Sequence, residues 1–478
     1  MAEPSAQSSV PLCVDLDGTL VKTDTFAQAL LLLLRTKPAT FFTLLRTKGG
    51  LAALKRRVAQ EIELDPAALP FHPGLLTFLQ SERRKGRELI LVTASDTVPA
   101  HAVAAHLGLF SDVMASDGAV NLKRTRKRDA LIARFGETQF DYAGNSFDDL
   151  PVWDAAREII AVNPSAPVRR ALKNRSARIF EDRPPRLKTW LKALRVQQWM
   201  KNILIFLPML LAHRLDDVSL YMKAGIAFFA FSATASAIYV LNDLFDLHAD
   251  QHHPRKKNRP FAAGNLSLAA AAAAVPLLVA AAFGLCLLLP PAFCSILVLY
   301  LVITTLYSWR LKQLALLDVM TLAGLYAIRI LAGTAAYDVE TSTWLIAFSM
   351  FLFFSLALVK RYAELHEASQ GHPEVVRVRG RGYRTADLPL LAGLGAGSGI
   401  ISVLVLALYI NSAKVVQFYS HPALLWLLCP PLLYWIARIW LLAGRGELSD
   451  DPLDFAARDP QTWFIGALSA ALLIVGSL

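Results

Sequence analysis

From residue 191 to Leu478 the chain is a succession of apolar runs separated by short polar breaks. Nine of these runs come close to the roughly twenty residues that a helix needs to cross a bilayer. They lie near 202–221, 224–242, 268–288, 292–309, 315–335, 343–360, 388–410, 421–442 and 461–478. The first is the weakest, since Pro208 interrupts it and Arg214 follows early. A soluble single domain is excluded. Charge divides the same way: residues 1–190 hold 48 Lys, Arg, Asp and Glu, whereas the 288 residues that follow hold 39. The reading is therefore a soluble domain over 1–190 and a multi-pass membrane domain over 191–478. Placing the front domain in the cytosol assigns 17 of the later Lys and Arg to cytosolic connections and three to outer ones, as the positive-inside rule requires. Any site in the membrane half then opens to the cytosol, and the membrane is the inner (cytoplasmic) one. The first twenty residues lack the basic stretch and apolar core of a secretory signal. The net charge of +11 is spread over both halves, so a nucleic-acid partner is not expected. Cys13, Cys286, Cys294 and Cys429 lack metal-type spacing and are expected to be buried free thiols.

The front domain carries phosphate chemistry at strand ends. Leu12-Cys13-Val14 reads as a buried strand that runs into Asp15-Leu16-Asp17-Gly18-Thr19. Leu89–Val92 ends in Thr93-Ala94-Ser95, and a strand over 140–143 ends in Gly144-Asn145-Ser146-Phe147-Asp148-Asp149. Open α/β sheets bind ligands at the carboxyl ends of their strands. A carboxylate can accept a phosphoryl group, a neighbouring carboxylic acid can move the proton, and further Asp can hold Mg²⁺. This ordered set resembles the haloacid-dehalogenase-like phosphatases over about residues 10–180. The resemblance implies Asp15 as nucleophile, Asp17 as general acid/base and Thr93 and Lys127 on the phosphate. It also implies Mg²⁺ held by Asp15, Asp17 and Asp149. Lys127 is expected just before a helix over 129–135, and residues 23–85 as a helical cap. Asn145 stands where the family usually has a carboxylate.

The second apolar run ends in Asn242-Asp243-Leu244-Phe245-Asp246-Leu247-His248-Ala249-Asp250. Spacings of three and four place Asp243, Asp246 and Asp250 on one helical face, where like charges repel unless a cation lies among them. Mg²⁺ suits a few carboxylates together with the oxygens of a diphosphate. Lys256, Lys257 and Arg259 follow and can meet phosphate oxygens that the metal leaves free. This pattern resembles the UbiA superfamily of intramembrane prenyltransferases over about 195–478.

The fold implied is an α/β Rossmann-like haloacid-dehalogenase domain with a helical cap, followed by an all-α polytopic UbiA-type domain of nine transmembrane helices. Further segments resemble the superfamily branch of decaprenyl-phosphate phosphoribosyltransferases: Gln198–Asn202, Tyr307–Lys312 with Asp318 and Arg329, Lys360–Glu364, and Asp450–Asp459 in the eighth connection. The resemblance implies phosphoribosyl diphosphate as donor and polyprenyl phosphate as acceptor. Asp243, Asp246 and Asp250 are then the catalytic and metal-binding carboxylates. Lys201, Asn242, Lys256, Lys257, Arg259, Lys312, Arg329, Lys360 and Arg361 are the substrate-binding set. One Mg²⁺ is implied in the front domain and one or two in the membrane site. Arg329, eleven positions past Asp318 inside an apolar run, is expected to anchor an anion, and Tyr307 to belong to the interfacial aromatic belt. Arg377, Arg379, Arg381 and Arg384 form a basic run at the membrane surface.

Fusion of the two domains suggests consecutive steps: transfer of phosphoribose to the lipid phosphate, then removal of the 5-phosphate, which would supply an arabinan or other glycan precursor. Partners are the two substrates and the bilayer, with a homo-oligomer left open. One alternative is a hydroxybenzoate-type aromatic prenyltransferase. Against it stand the surplus of cations and the missing second Asp-x-x-x-Asp motif in the sixth connection. The other is a non-catalytic lipid-phosphate-binding protein with a regulatory phosphatase fold.

Overall fold

The computed structural model describes residues 10–46, 50–117, 120–211, 217–370, 381–413, 415, 419–448 and 451–477; Arg214, Arg377 and Arg379 fall outside the described residues. The chain forms two compact units, residues 1–194 with 239–276, and residues 195–238 with 277–478. The Asp-rich segment therefore belongs to the same unit as the front domain rather than following the composition step near 190.

The first unit is built on six parallel strands: β1 (Leu12–Val14), β2 (Leu89–Asp96), β3 (Asp112–Ser116), β4 (Asp141–Gly144), β5 (Ile159–Val162) and β6 (Ala177–Phe180). Their order is β3-β2-β1-β4-β5-β6. All residues of β1, β4 and β5 are buried, the mark of parallel strands covered on both faces. The chain leaves β1 toward β2 on one side and returns to β4 on the other, so the strand order switches beside β1. Val14 pairs with Leu91 and with Ala143, which brings the ends of β1, β2 and β4 together.

Three helices, Thr25–Thr36, Pro38–Leu45 and Gly50–Glu61, form the cap around Leu33, Val58 and Ile62. The helix Pro73–Arg84, expected within the cap, packs instead on the sheet. Its apolar stripe, Leu75, Phe78 and Leu79, joins Leu12, Leu89 and Leu91 in the core.

Eight helices among the described residues are long and apolar enough to cross a membrane: Val218–Phe245, Leu268–Cys286, Pro291–Trp309, Leu317–Tyr337, Thr343–Ser369, Thr385–Ile410, Pro422–Gly444 and Pro460–Ser477. The ninth expected span, near 202–221, is not among these eight over its described residues. It is a 3₁₀ stretch, Val196–Phe206, followed by the short helix Leu207–Leu211. Pro208 has no N–H to donate to the preceding turn, so no α-helical bond from it ties the short helix to the 3₁₀ stretch.

In the second unit, helix Leu388–Ile410 meets Cys429–Gly444 closely at Gly395, where a Cβ would come within 2.0 Å of the Trp440 ring. The Trp440 Nε1–H donates to Ser355 Oγ at 3.1 Å, and Ser355 donates to the Gly395 carbonyl at 2.7 Å. Small residues let apolar helices approach in this way where lipid offers no hydrophobic drive between them. The four cysteines are free thiols; Cys13 and Cys286 are buried and Cys294 and Cys429 partly so.

Candidate active sites

Asp15, the first residue beyond β1, is fixed by its N–H donating to the Ala143 carbonyl at 2.9 Å. Its carboxylate accepts from Lys127 Nζ at 2.8 Å and from Thr19 Oγ1 at 3.3 Å. Lys127 lies in the first turn of helix Thr125–Phe135, which starts four residues earlier than expected. That ammonium also donates to the Tyr142 hydroxyl at 2.8 Å and stands 3.8 Å from Asp149. Tyr142 in turn donates to Asp149 Oδ1 at 2.8 Å. Asp149 Oδ2 accepts from the N–H of Asn145, the N–H of Ser146 and the Ser146 hydroxyl, all within 3.0 Å. Asp17 accepts from the Thr25 N–H at 2.8 Å and from Ser95 Oγ at 2.5 Å. Thr93 is buried within β2, which runs on to Asp96 past the expected end at Val92, and its hydroxyl accepts from the Ser95 N–H. The strand ends thus bring Asp15, Asp17, Thr93, Lys127 and Asp149 together.

Burial pushes the Asp15 carboxyl up to about 7, against the pull of Lys127 and with the Asp149 charge adding to it. Asp17 is also raised, chiefly by burial and then by Asp24, a shift toward the protonated form that a general acid needs. Burial alone would lower Lys127, but Asp15 and Asp149 outweigh it and keep the ammonium charged. Tyr142, raised well above the usual phenol, remains a hydrogen-bond donor.

These groups open into a cavity of about 820 Å³. Lys55 of the cap lines it, as do Arg183, Trp190 and the segment Gly264–Ala270, whose last three residues begin the apolar helix Leu268–Cys286. Among the described residues no set of three His, Cys, Asp or Glu is already arranged around a metal position. Asp15 and Asp149 nevertheless flank a cation, the Lys127 ammonium, and with the Asn145 amide they are hard oxygen donors suited to Mg²⁺.

The Asp-rich segment does not form one continuous helix. Helix Val218–Phe245 ends before Asp246, which opens a second helix, Leu247–Gln251. Asp243 and Asp250, both buried, converge on Arg259, whose Nη1 lies 3.2 Å and 2.6 Å from them. Asp246 turns away to Arg35 of the cap, 3.1 Å distant. The expected trio is thus a pair around one guanidinium, with the third carboxylate on a separate partner. Burial raises Asp250, Arg259 pulls it down and Asp243 adds to the rise. Asn242 is half-buried beside Asp243, while Lys256 and Lys257 are exposed in the turn Lys256–Asn258. A carboxylate pair that already encloses a cation fits Mg²⁺ with a diphosphate.

In the second unit the expected cations fall into four places. Lys201 and Lys360 both bond Asp451, at 3.1 Å and 2.8 Å. Burial alone would raise Asp451, but the two ammonium groups hold it well below the usual carboxylate range. Arg361 forks onto the fully buried Asp318 and bonds Tyr307 and Glu364; Arg381 lies 3.2 Å from the same phenol. Tyr307 therefore sits in a buried ionic network and not in an interfacial belt. Arg329 does not meet Asp318. It donates to Asn202 Oδ1 at 2.9 Å and to the Leu325 carbonyl, amid the rings of Phe231, Tyr300 and Tyr326. Lys312 lies half-buried in the turn Leu311–Gln313.

Sequence reasoning missed Tyr142, Ser95 and Arg35, and it named Asp451 without its partners Lys201 and Lys360. A lone phenol inside the apolar strand β4 was the available sign for Tyr142; the bonds of Ser95 to Asp17 and of Arg35 to Asp246 join distant parts of the chain and left no local mark.

Residues 203–458 match the family model described as UbiA prenyltransferase family, and residues 12–152 match that of haloacid dehalogenase-like hydrolases. The protein y4nM of Sinorhizobium fredii is 38% identical over 98% of this chain and 91% of its own length. Nodulation protein NoeC of Azorhizobium caulinodans is 34% identical over 57% of this chain and 87% of its own. A decaprenyl-phosphate phosphoribosyltransferase of Mycobacterium tuberculosis is 34% identical over 37% of this chain, a match that spans 61% of that enzyme.

Proposed function

The chain belongs to the UbiA prenyltransferase family and carries a haloacid-dehalogenase-like domain at its front, and we propose that the two domains catalyse consecutive reactions on one lipid. The membrane domain transfers 5-phosphoribose from phosphoribosyl diphosphate to polyprenyl phosphate. The front domain then removes the 5-phosphate to give polyprenyl-phosphoryl-ribose. Both sites open on the cytosolic side of the inner membrane.

In the first step the bond from ribose C1 to the diphosphate breaks, and an oxygen of the lipid phosphate bonds C1. The acceptor is already anionic, so no general base is needed; positioning and charge neutralisation supply the rate. Asp243 and Asp250 are the candidate holders of Mg²⁺, which would neutralise the leaving diphosphate, while Asp246 is kept by Arg35. Arg259, Lys256 and Lys257 serve phosphate oxygens. Lys201 with Lys360, and Arg361, offer further cations for the 5-phosphate and the lipid phosphate.

In the second step Asp15 attacks the 5-phosphate while Asp17 gives its proton to the departing ribose oxygen. Asp17 then takes a proton from the water that frees inorganic phosphate and restores Asp15. Thr93 and Lys127 bind phosphoryl oxygens; Asp15 and Asp149 with Asn145 would hold the Mg²⁺ that balances their charge.

One observation carries the link between the steps: the phosphatase cavity is walled by Gly264–Ala270, where an apolar helix begins. A phosphate borne on a polyprenyl lipid would approach the cavity along such a helix, a feature with no use for a small soluble ester. Its relative named decaprenyl-phosphate phosphoribosyltransferase supports the choice of donor and acceptor. The test incubates the detergent-solubilised chain with Mg²⁺, phosphoribosyl diphosphate and polyprenyl phosphate, followed by mass spectrometry of the lipid. Wild type should yield lipid bearing ribose, and Asp15→Asn lipid bearing ribose phosphate. Absence of any ribosylated lipid from folded protein, over several chain lengths, would refute the reading.

A further inference from the structure

The helix that carries Asp250 has only five residues, Leu247–Gln251, too few to be stable or to fix its own orientation. Its orientation comes from elsewhere. Gln28 on the cap helix Thr25–Thr36 and Gln251 exchange amide hydrogen bonds at 2.5 Å and 3.3 Å, and both side chains are buried. This reciprocal pair fixes the end of the short helix. At its start, Arg35 Nη1 donates to the Phe245 carbonyl at 2.6 Å and stands 3.1 Å from Asp246. A carbonyl in the last turn of a helix lacks an intrahelical partner, and the guanidinium supplies one. Past the end, His252 Nε2 lies 2.9 Å from Asp65. Ala27 and Leu31, from the same cap helix, pack against Leu244, Leu247 and Phe261.

Asp250 meets Asp243 through Arg259, so the separation of the two carboxylates depends on how Leu247–Gln251 is seated. We propose that Gln28 and Arg35, on the phosphatase cap, are positioning residues for the Asp243/Asp250 pair of the transferase. The metal-diphosphate site of the transferase is then fully formed only while the cap is docked against it. The front domain therefore serves the transfer reaction structurally as well as acting on its product. This inference rests on the reading of Asp243 and Asp250 as the metal-binding pair.

The test measures Mn²⁺ bound to the full-length chain with inorganic diphosphate present, by the electron paramagnetic resonance of free Mn²⁺. Backbone hydrogen exchange of residues 245–252 is followed alongside. The increment that diphosphate adds, and that Asp243→Asn removes, belongs to the transferase site. Arg35→Gln and Gln28→Leu should each weaken that increment at least tenfold and speed exchange in the segment, whereas Arg35→Lys should stay within threefold of wild type. Arg35 is 42% exposed, so its replacement leaves the core intact and keeps the test valid even if Gln28→Leu fails to fold. Mn²⁺ affinity within twofold of wild type in Arg35→Gln, beside normal binding in wild type, would overturn this proposal alone. No diphosphate-dependent binding in wild type would overturn it together with the reading on which it rests.

Discussion

Arg259→Gln removes the guanidinium that bridges Asp243 and Asp250. The guanidinium lies 3.2 Å and 2.6 Å from the two carboxylates, which are both almost fully buried. Taking one partner from a buried ion pair costs about 3–5 kcal/mol, because the remaining charge keeps its desolvation penalty. Arg259 is 29% exposed, and water regains part of what is lost, so about 2–4 kcal/mol is expected. At about 2–4 °C per kcal/mol for a unit of this size, the midpoint should fall by about 4–16 °C. A divalent cation can replace the guanidinium between the carboxylates. At a hundredfold excess over its dissociation constant it returns about 2.7 kcal/mol. Thermal unfolding of the solubilised chain, with and without Mg²⁺ and without diphosphate, should thus show a distinctly larger Mg²⁺ response in Arg259→Gln than in wild type. The pH dependence has a definite sign. Burial already raises Asp250, and loss of Arg259 raises it further. A carboxyl raised in the folded state destabilises above its unfolded value of about 4 and is relieved as it takes up a proton. The deficit of the variant should therefore shrink on acidification. An unshifted midpoint, or a Mg²⁺ response as large in wild type as in the variant, would show that Arg259 does not neutralise this pair.

Lys127→Met should reduce phosphate release from the lipid-linked ribose 5-phosphate at least ~100-fold, as loss of one donor to a reacting oxyanion does, while transfer continues. Phosphate release and lipid mass spectrometry on the same sample check both halves of that statement. Gly18→Ala meets two obstacles, a φ of +75° and an Asn145 Nδ2 that would lie 2.1 Å from the new Cβ. The left-handed conformation alone costs roughly 1–2 kcal/mol. Phosphate release should fall with Asn145 displaced, and a variant as active as wild type would argue against any role for that amide.

What could be read in advance follows from how local each signal is. Asp15, Asp17 and Asp149 were legible because a parallel strand ends within a few residues of its apolar run, and strand ends gather at one edge. Thr93 and Lys127 needed the family pattern, since nothing in the sequence alone says that β2 lies beside β1. The membrane half was legible as hydropathy, and its one failure, the segment broken near Pro208, arose where length and composition were already weakest. The placement of Arg329 was not legible. A charge in an apolar run must find partners, but the sequence does not reveal whether these are a ligand or, as here, Asn202, the Leu325 carbonyl and aromatic rings.

The Asp-rich motif marks the boundary most sharply. Spacings of three and four guarantee one shared face only while a helix continues, and this helix stops at Phe245. A stop is favoured because Arg35, 210 positions earlier in the chain, meets the freed carbonyl and draws Asp246 to itself. With Asp246 so engaged, Asp243 and Asp250 are left facing each other across Arg259, a smaller and more readily neutralised cluster than three adjacent anions. Repulsion among three like charges at a membrane surface is thus relieved by dividing them between two arginines. A metal bound with diphosphate would take the place of Arg259 between Asp243 and Asp250, while Arg35 keeps Asp246 and so holds the short helix that carries Asp250.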